Sequence, residues 1–515
     1  MGYPFHLRGA IMKDITKHLK NLNKHLAKIN RLNHMKNVIY YDMTTSCPKL
    51  GTDDHNDDIN YLSNEIIRII NSKSYMSSVI YLGEHINDID NLYDRRLVSK
   101  LYKDYLRIKN IDSKTQIEMN EIFNNGYLSW LEAKEKNYYS LFYPALNNIR
   151  EATIKQVKLS SAPDLGTVLN NVMDSCEEGM NEKDLDHFFN TIKKAIIHLL
   201  RQISTSKVKI RTDFLNRKVP LYKQMDFSKY LLETIGYDMN KGAIGLTEHP
   251  YTISISKNDH RVTTHIYEDN FISNIYSVIH EGGHGIFGQN IPDDCYIHHI
   301  DEYRSLAMDE SSSRFFENVI GRSKEFIHLI YPKFHEYFYE EFSDVTEEEL
   351  YKTVNLVDPG LIRTEADELT YTLHIIIRYE LEKEILNNNI NLKDLNKLWN
   401  QKYKEYLGVD VPNDTLGVLQ DVHWSGGFGY FPTYSLGNAY NQMYLKEMNK
   451  VLNVKELILN NNIKEIVNYL RDNVYKKACN LSASDWIKDI CNEDLNPNYF
   501  IEYLTNKYKE IYELD

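Results

Sequence analysis

His280-Glu281-Gly282-Gly283-His284 is the stretch on which the reading of this chain turns. The apolar pattern predicts a helix over residues 271–289, and on a helix positions four apart share one face, roughly 6 Å apart along the axis. Both imidazoles then reach one metal ion, while Glu281 sits one position round, placed to act as a base. Each glycine inside a helix costs about 1 kcal/mol relative to alanine, so Gly282 and Gly283 imply a face that must stay uncrowded. A catalytic zinc takes three protein ligands and leaves a position for water. Glu310, in Met308-Asp309-Glu310-Ser311-Ser312-Ser313-Arg314 at the start of a second helical stretch over residues 304–319, is the candidate third ligand. Cys295 is an alternative, although a core thiol is the commoner fate of such a residue, and His298-His299 reads as a surface pair. The chemistry expected is hydrolysis by metal-activated water.

Outward from this motif, Tyr251, Ile253 and Ile255 alternate ahead of Lys257-Asn258-Asp259, and Val262, Thr264 and Ile266 follow, predicting a β-hairpin just before the metal helix. Elsewhere the three- and four-residue apolar spacing of helices prevails, as in Leu185, Phe188, Phe189, Ile192 and Ile196. The fold class expected is all-α with a small hairpin or sheet beside the metal helix. Near the N-terminus, Ile15, Leu19, Leu22, Leu26 and Ile29 form one stripe and Lys13, Lys17, Lys20, Lys24, Lys28 and Arg31 another, a basic amphipathic helix read as packed on an acidic body. Residues 44–58, with Pro48, Gly51 and several aspartates, read as a loop. Asn387-Asn388-Asn389, residues 426–432 and Asn460-Asn461-Asn462 read as further breaks.

The chain has 515 residues, 60 Lys and Arg against 73 Asp and Glu, and a formal charge of −13. Without an excess of phosphate-neutralising side chains, no nucleic-acid partner is expected. Five scattered cysteines fit a reducing, cytoplasmic setting better than a disulfide scaffold. No segment approaches the roughly 20 apolar residues of a membrane span.

Several separated blocks resemble the carboxypeptidase Taq family of zinc metallocarboxypeptidases. They are His249-Pro250-Tyr251, Asp259-His260-Arg261-Val262-Thr263, the metal helix, and Glu310-Ser311-Ser312-Ser313-Arg314 running on to Glu317-Asn318. Ile362-Arg363-Thr364-Glu365-Ala366-Asp367 and Gly417-Val418-Leu419-Gln420-Asp421-Val422-His423-Trp424 match their family blocks in full. With Tyr41-Asp42-Met43-Thr44-Thr45-Ser46-Cys47-Pro48 the resemblance spans residues 38–515 as a single helical domain, leaving residues 1–37 as a leader with the basic helix. Asp309 and Ser312 depart from the family pattern. Asp309 puts an extra carboxylate beside the ligand, and Ser312 lacks an amide that could position substrate.

The resemblance implies a deep groove with one zinc ion per chain, cobalt being the alternative, held by His280, His284 and Glu310. It also implies removal of single residues from the free C-termini of peptides, and a homodimer. The hairpin edge offers an extended peptide a place to add as a further strand. Glu281 would move the proton. His423, with Tyr430 or Tyr434, would stabilise the developing oxyanion. A planar guanidinium suits a free α-carboxylate, which makes Arg363 the first substrate-binding candidate and Arg261 the second, with His249 beside them. The readings that compete are a helical zinc endopeptidase or dipeptide-releasing peptidase, and a metal-binding interaction protein without activity.

Overall fold

The helical periodicity is carried through into the structure. A computed structural model, which describes residues 5–302 and 305–514, is 70% helical, with one three-stranded sheet among the described residues. Helix α1 (Phe5–Thr45) buries Ile15, Leu22, Leu26 and Ile29 against Tyr75, Val79 and Leu82, and this N-terminal layer has its own apolar core. The six basic residues of its other stripe are exposed, as expected of a solvated face. No break falls between residues 37 and 38, and the first four residues of the expected leader lie outside the described residues.

The loop expected over residues 44–58 is only a short turn, because α2 (Thr52–Ile70) begins at its centre. Asp53 and Asp54, taken as loop residues, complement the helix dipole in its first turn. None of the residues of α2 is buried, so no apolar stripe announced where it starts.

The hairpin forms where alternation placed it, but it is part of a larger unit. After helix α3 (Leu221–Ile235), strand β1 (Ile244–Leu246) pairs parallel with β3 (Asp259–Thr264), which pairs antiparallel with β2 (Thr252–Ser256). With only three residues, β1 is too short for an alternation signal. The sheet lies against helix α4 (Phe271–Gln289), the metal helix, which is buried on almost every side. It is followed by α5 (Leu306–Arg314), which starts on a Ser305 side chain accepting the Met308 N–H at 3.0 Å. Arg304, the expected first residue of this helix, lies outside the described residues. At Phe315 the helix widens into a π-helix, Phe315–Ile320.

Helices α6 (Glu368–Leu386) and α7 (Pro432–Met448) complete the frame. His298 and His299 are not a free surface pair: His298 Nδ1 lies 2.7 Å from Asp94 Oδ1, and His299 Nδ1 lies 3.0 Å from Asn30 Nδ2, joining this segment to the N-terminal layer. Cys295 is fully buried in the core of that layer together with Cys479 and takes no part in the metal cluster.

Close backbone approach explains the glycines of the motif. A Cβ on Gly283 would lie 2.7 Å from Ser313 Cα and 2.9 Å from the Ser312 carbonyl of α5. A Cβ on Gly437 of α7 would meet α5 from another side, 2.9 Å from Ser311 N and 3.0 Å from the Glu310 carbonyl carbon. A Cβ on Gly282 would meet only side-chain ends, Ile235 Cδ1 at 2.7 Å and Leu232 Cδ2 at 2.8 Å on α3. Gly437→Ala should therefore push backbone against backbone and cost about 1–3 kcal/mol of stability, whereas Gly282→Ala, which needs only rotamer shifts, should cost less. Denaturant unfolding of the two variants checks this ranking.

Candidate metal centre

His280 and His284, one turn apart on α4, both turn Nε2 toward Glu310 on α5. Glu310 Oε2 lies 3.9 Å from His280 Nε2 and 3.6 Å from His284 Nε2. Three atoms so converging, two imidazole nitrogens and one carboxylate oxygen, form a group that could hold a divalent metal ion. The opposite ring nitrogens are also engaged. His280 Nδ1 lies 2.8 Å from Glu317 Oε2, and His284 Nδ1 lies 2.8 Å from Asp309 Oδ1. A carboxylate on the far nitrogen fixes the orientation of each ring and raises its basicity as a ligand. The residues present therefore fit a divalent cation.

Burial and charge are balanced around this cluster. Glu310 is buried, yet Arg314, His280 and His284 outweigh the burial cost and bring its carboxyl down to about 2. Arg314 Nε donates to Glu310 Oε1 at 2.8 Å, and its Nη1 donates to Glu317 Oε2 at 3.1 Å. Glu317 is held well below the usual carboxylate range, Arg314 and His280 overcoming its burial. Burial opposes a charge on His284, but Asp309 and Glu310 prevail and lift it well above the ordinary imidazole value in the metal-free protein.

Beside the cluster, Glu281 Oε2 accepts a 2.6 Å hydrogen bond from Thr252 Oγ1 on β2, whose hydroxyl also lies 2.9 Å from the Glu281 carbonyl. Thr252, Ser254, Tyr430 and Tyr434 line, with the cluster itself, a cavity of about 510 Å³. The hairpin edge expected to receive a peptide is β2, which is an edge strand, but Asn37 Nδ2 of α1 donates to the Ser254 carbonyl at 3.0 Å and closes part of it.

The other expected site residues divide. Arg363 is buried and paired, and its partner is Asp421 rather than the nearby Glu365 or Asp367: Nη2 donates to Asp421 Oδ1 at 3.0 Å and Nε to the same oxygen at 3.2 Å. Its guanidinium carbon lies 5.1 Å from the ring centre of Tyr434, and Nη1 donates to Tyr371 Oη at 3.2 Å. Against the cost of burial, Arg378 and Arg363 hold Asp421 well below its usual range. Gln420 Oε1 accepts from the Arg363 N–H at 3.1 Å and from Arg378 Nη2 at 2.8 Å, so Gln420 and Asp421 together hold the arginine.

His423 sits by the rings of Phe431 and Tyr430 at 4.5 and 5.7 Å, facing a second cavity of about 410 Å³ that shares Tyr430 with the first. Burial, with the charge of Arg363 and Arg378, brings it down to about 4 although Asp421 works the other way, so its imidazole is neutral near pH 7. Arg261 lies on β3, where Asp259 accepts from its Nε and Nη2 at 2.9 and 2.8 Å and Tyr41 stacks at 4.9 Å, an arrangement that fixes the hairpin turn. His249 is exposed, while its neighbours Pro250 and Tyr251 line the metal cavity. Ser312 does not face substrate: it is fully buried, and its hydroxyl lies 2.9 Å from the Gly283 carbonyl and 2.7 Å from Tyr475 Oη.

The motif reading missed the residues that orient these groups. Asp309 looked like a departure and is the partner of His284. Glu317, Arg314, Thr252 and Glu382 were assigned no role. Glu382 on α6 accepts from Trp424 Nε1 at 2.9 Å and from the Gly429 N–H at 3.0 Å, anchoring both ends of the loop that carries His423 and Tyr430. The charged spacing Asp309, Glu310, Arg314, Glu317 along one helix was visible in the sequence and is the signal that could have found the first two.

A helical frame around two histidines and a carboxylate, with a glutamate beside the first histidine, is the architecture of a metal-dependent peptidase. The chain belongs to the carboxypeptidase Taq (M32) metallopeptidase family, whose model matches residues 21–508. It is 35% identical over 489 residues to carboxypeptidase 1 of Bacillus subtilis, covering 95% of this chain and 97% of that one. It is 32% identical over 417 residues to thermostable carboxypeptidase 1 of Thermus thermophilus, covering 79% and 82%. Its fold is similar to the M32 carboxypeptidase from Deinococcus radiodurans R1, with a TM-score of 0.91, 27% identity, and 97% and 100% of the two chains covered.

Asp309→Asn keeps the shape but removes the charge behind His284, and should weaken metal binding about 10- to 100-fold, read by competition with a chromogenic chelator. Glu382 is pushed up to about 7 by burial, against the Gly429 and Trp424 hydrogen bonds. A raised acid contributes stability that is complete below its ordinary range and lost as pH rises through the folded value. The fall in unfolding free energy between about pH 5 and about pH 8 should therefore be shallower in Glu382→Gln than in the native protein.

Proposed function

We propose that the protein is a zinc metallocarboxypeptidase that releases single amino acids from peptides with a free C-terminus. The observation that carries this reading is the convergence of His280 Nε2, His284 Nε2 and Glu310 Oε2, with Glu281 held beside them in one cavity. His280, His284 and Glu310 would hold one ion per chain, with cobalt as the alternative to zinc. Bound there, it supplies a Lewis acid that lowers the pKa of water and polarises a scissile carbonyl.

The remaining steps belong to the side chains. Glu281, oriented by Thr252, takes a proton from the attacking water and returns it to the leaving amine. Tyr430 and Tyr434, both in the cavity wall, offer phenolic donors to the developing oxyanion, and burial raises both above the ordinary phenol value. His423, neutral at working pH, can donate to the same end of the substrate without adding charge. Asp421 and Tyr371 occupy part of the Arg363 fork, and its remaining Nη donors, beside Tyr434, serve the substrate α-carboxylate. Arg261 and His249 do not line the metal cavity and are secondary candidates. A cytoplasmic setting is consistent with five free thiols, and the homodimer rests on the family resemblance alone.

The test is mass spectrometry of one peptide, as free acid and as C-terminal amide, incubated with the protein with and without chelator. A ladder of single-residue losses from the free acid alone, abolished by chelator and by Glu281→Gln while that variant still binds metal, is the expected result. Internal cuts in both peptides would replace this reading with the endopeptidase.

A further inference from the structure

Where α1 ends and α2 begins, three side chains that are not part of the metal cluster meet. His55 Nδ1 lies 3.9 Å from Cys47 Sγ, and His55 Nε2 lies 3.0 Å from Asp42 Oδ2. Cys47 is partly exposed, and the side chains of His55 and Asp42 are 30% and 49% exposed, so reagents can reach the group. The three can be read as a metal cage or as a relay. In the catalytic cluster both histidines turn one nitrogen to a common point. This group has a single histidine, which turns Nδ1 to the sulfur and Nε2 to the carboxylate. That is the pattern of a nucleophile, a base within hydrogen-bond reach of it, and a third group orienting the base.

The backbone adds to it. Gly51, the N-cap of α2, has no side-chain cap, and a Cβ there would sit 3.2 Å from Cys47 Sγ, so the sulfur rests against the positive end of a 19-residue helix. That end favours a developing negative charge, although Asp53 and Asp54 in the same turn offset part of it. The thiol also lies 3.4 Å from the Pro48 carbonyl, to which it can donate before His55 takes its proton.

We propose that Cys47, with His55 as base and Asp42 as its orienting partner, is an activated thiol that forms mixed disulfides with small cationic disulfides. The cationic class follows from Asp53, Asp54, Asp57 and Asp58, all exposed on the same helix. In the reaction His55 takes the thiol proton as Cys47 sulfur attacks one sulfur of the small disulfide. The new bond joins Cys47 to that sulfur, the old sulfur–sulfur bond breaks, and the departing thiolate receives the proton from His55. The incoming disulfide is the oxidant and is itself half reduced.

The experiment treats the full, metal-loaded chain with limiting cystamine or glutathione disulfide and reads each cysteine by peptide mass spectrometry over time. Cys47 should be modified first, at least tenfold faster than in His55→Asn and faster by cystamine than by the anionic glutathione disulfide. Cys176, the other partly exposed cysteine, whose thiol burial pushes up to about 11, should react slowly and at one rate in both proteins, reporting that the variant is folded. Equal Cys47 rates in the native protein and His55→Asn overturn the relay, and a preference for glutathione disulfide overturns the ligand class. Neither outcome depends on peptidase activity. Cys47→Ser should leave peptide hydrolysis unchanged.

Discussion

The metal centre depends on how closely three helices approach. Glu310 belongs to a helix pressed between two others, with backbone at Gly283 on one side and at Gly437 on another, and no side chain fits at either contact. This clamp sets the distance from the Glu310 carboxylate to the two imidazoles, 3.6 and 3.9 Å. A site that must hold its ligands within fractions of an ångström is best built on rigid elements whose packing leaves no slack. The metal helix is buried on nearly all faces, so its hydrogen-bonded backbone cannot drift toward solvent. Ser312 serves the same contact from inside, bonding the Gly283 carbonyl that faces it.

Around the clamp lie two groups of buried charge. Asp309, Glu310, Glu317 and Arg314 surround the histidines, while Asp421 joins Arg363 to Arg378. Desolvation opposes each charge, and pairing restores what is lost, so such groups add little to stability and a great deal to orientation. Their work is to hold ring tautomers and a guanidinium plane in fixed orientations. Glu382 does the same for the loop of His423 and Tyr430 through two hydrogen bonds to one carboxylate.

Particular residues show how far the sequence could be read. The metal helix, the hairpin strands and the amphipathic N-terminal helix all carry strong local patterns, and each formed where its pattern predicted. The start of α2 escaped because that helix buries nothing, and β1 escaped because three residues cannot show a period. Ser312 was misjudged, and the particular partner of Asp309 left open, for one reason: which neighbour a side chain meets is decided across helices, not along them. His298 and His299 looked solvated and are instead joined to Asp94 and Asn30, some two hundred residues or more away in the chain.

By itself the sequence determined the helical class, the candidate ligand residues, and the one-turn spacing that puts two histidines and a glutamate on one helix. These are properties of local periodicity and of side-chain chemistry, and both are written in consecutive residues. Only the tertiary structure decided that Glu317 and Asp309 orient the two imidazoles, that Asp421 holds Arg363, and that Tyr430 stands between two cavities. Each of these is a contact between elements, set by how closely helices can pack and by the need to pair every buried charge.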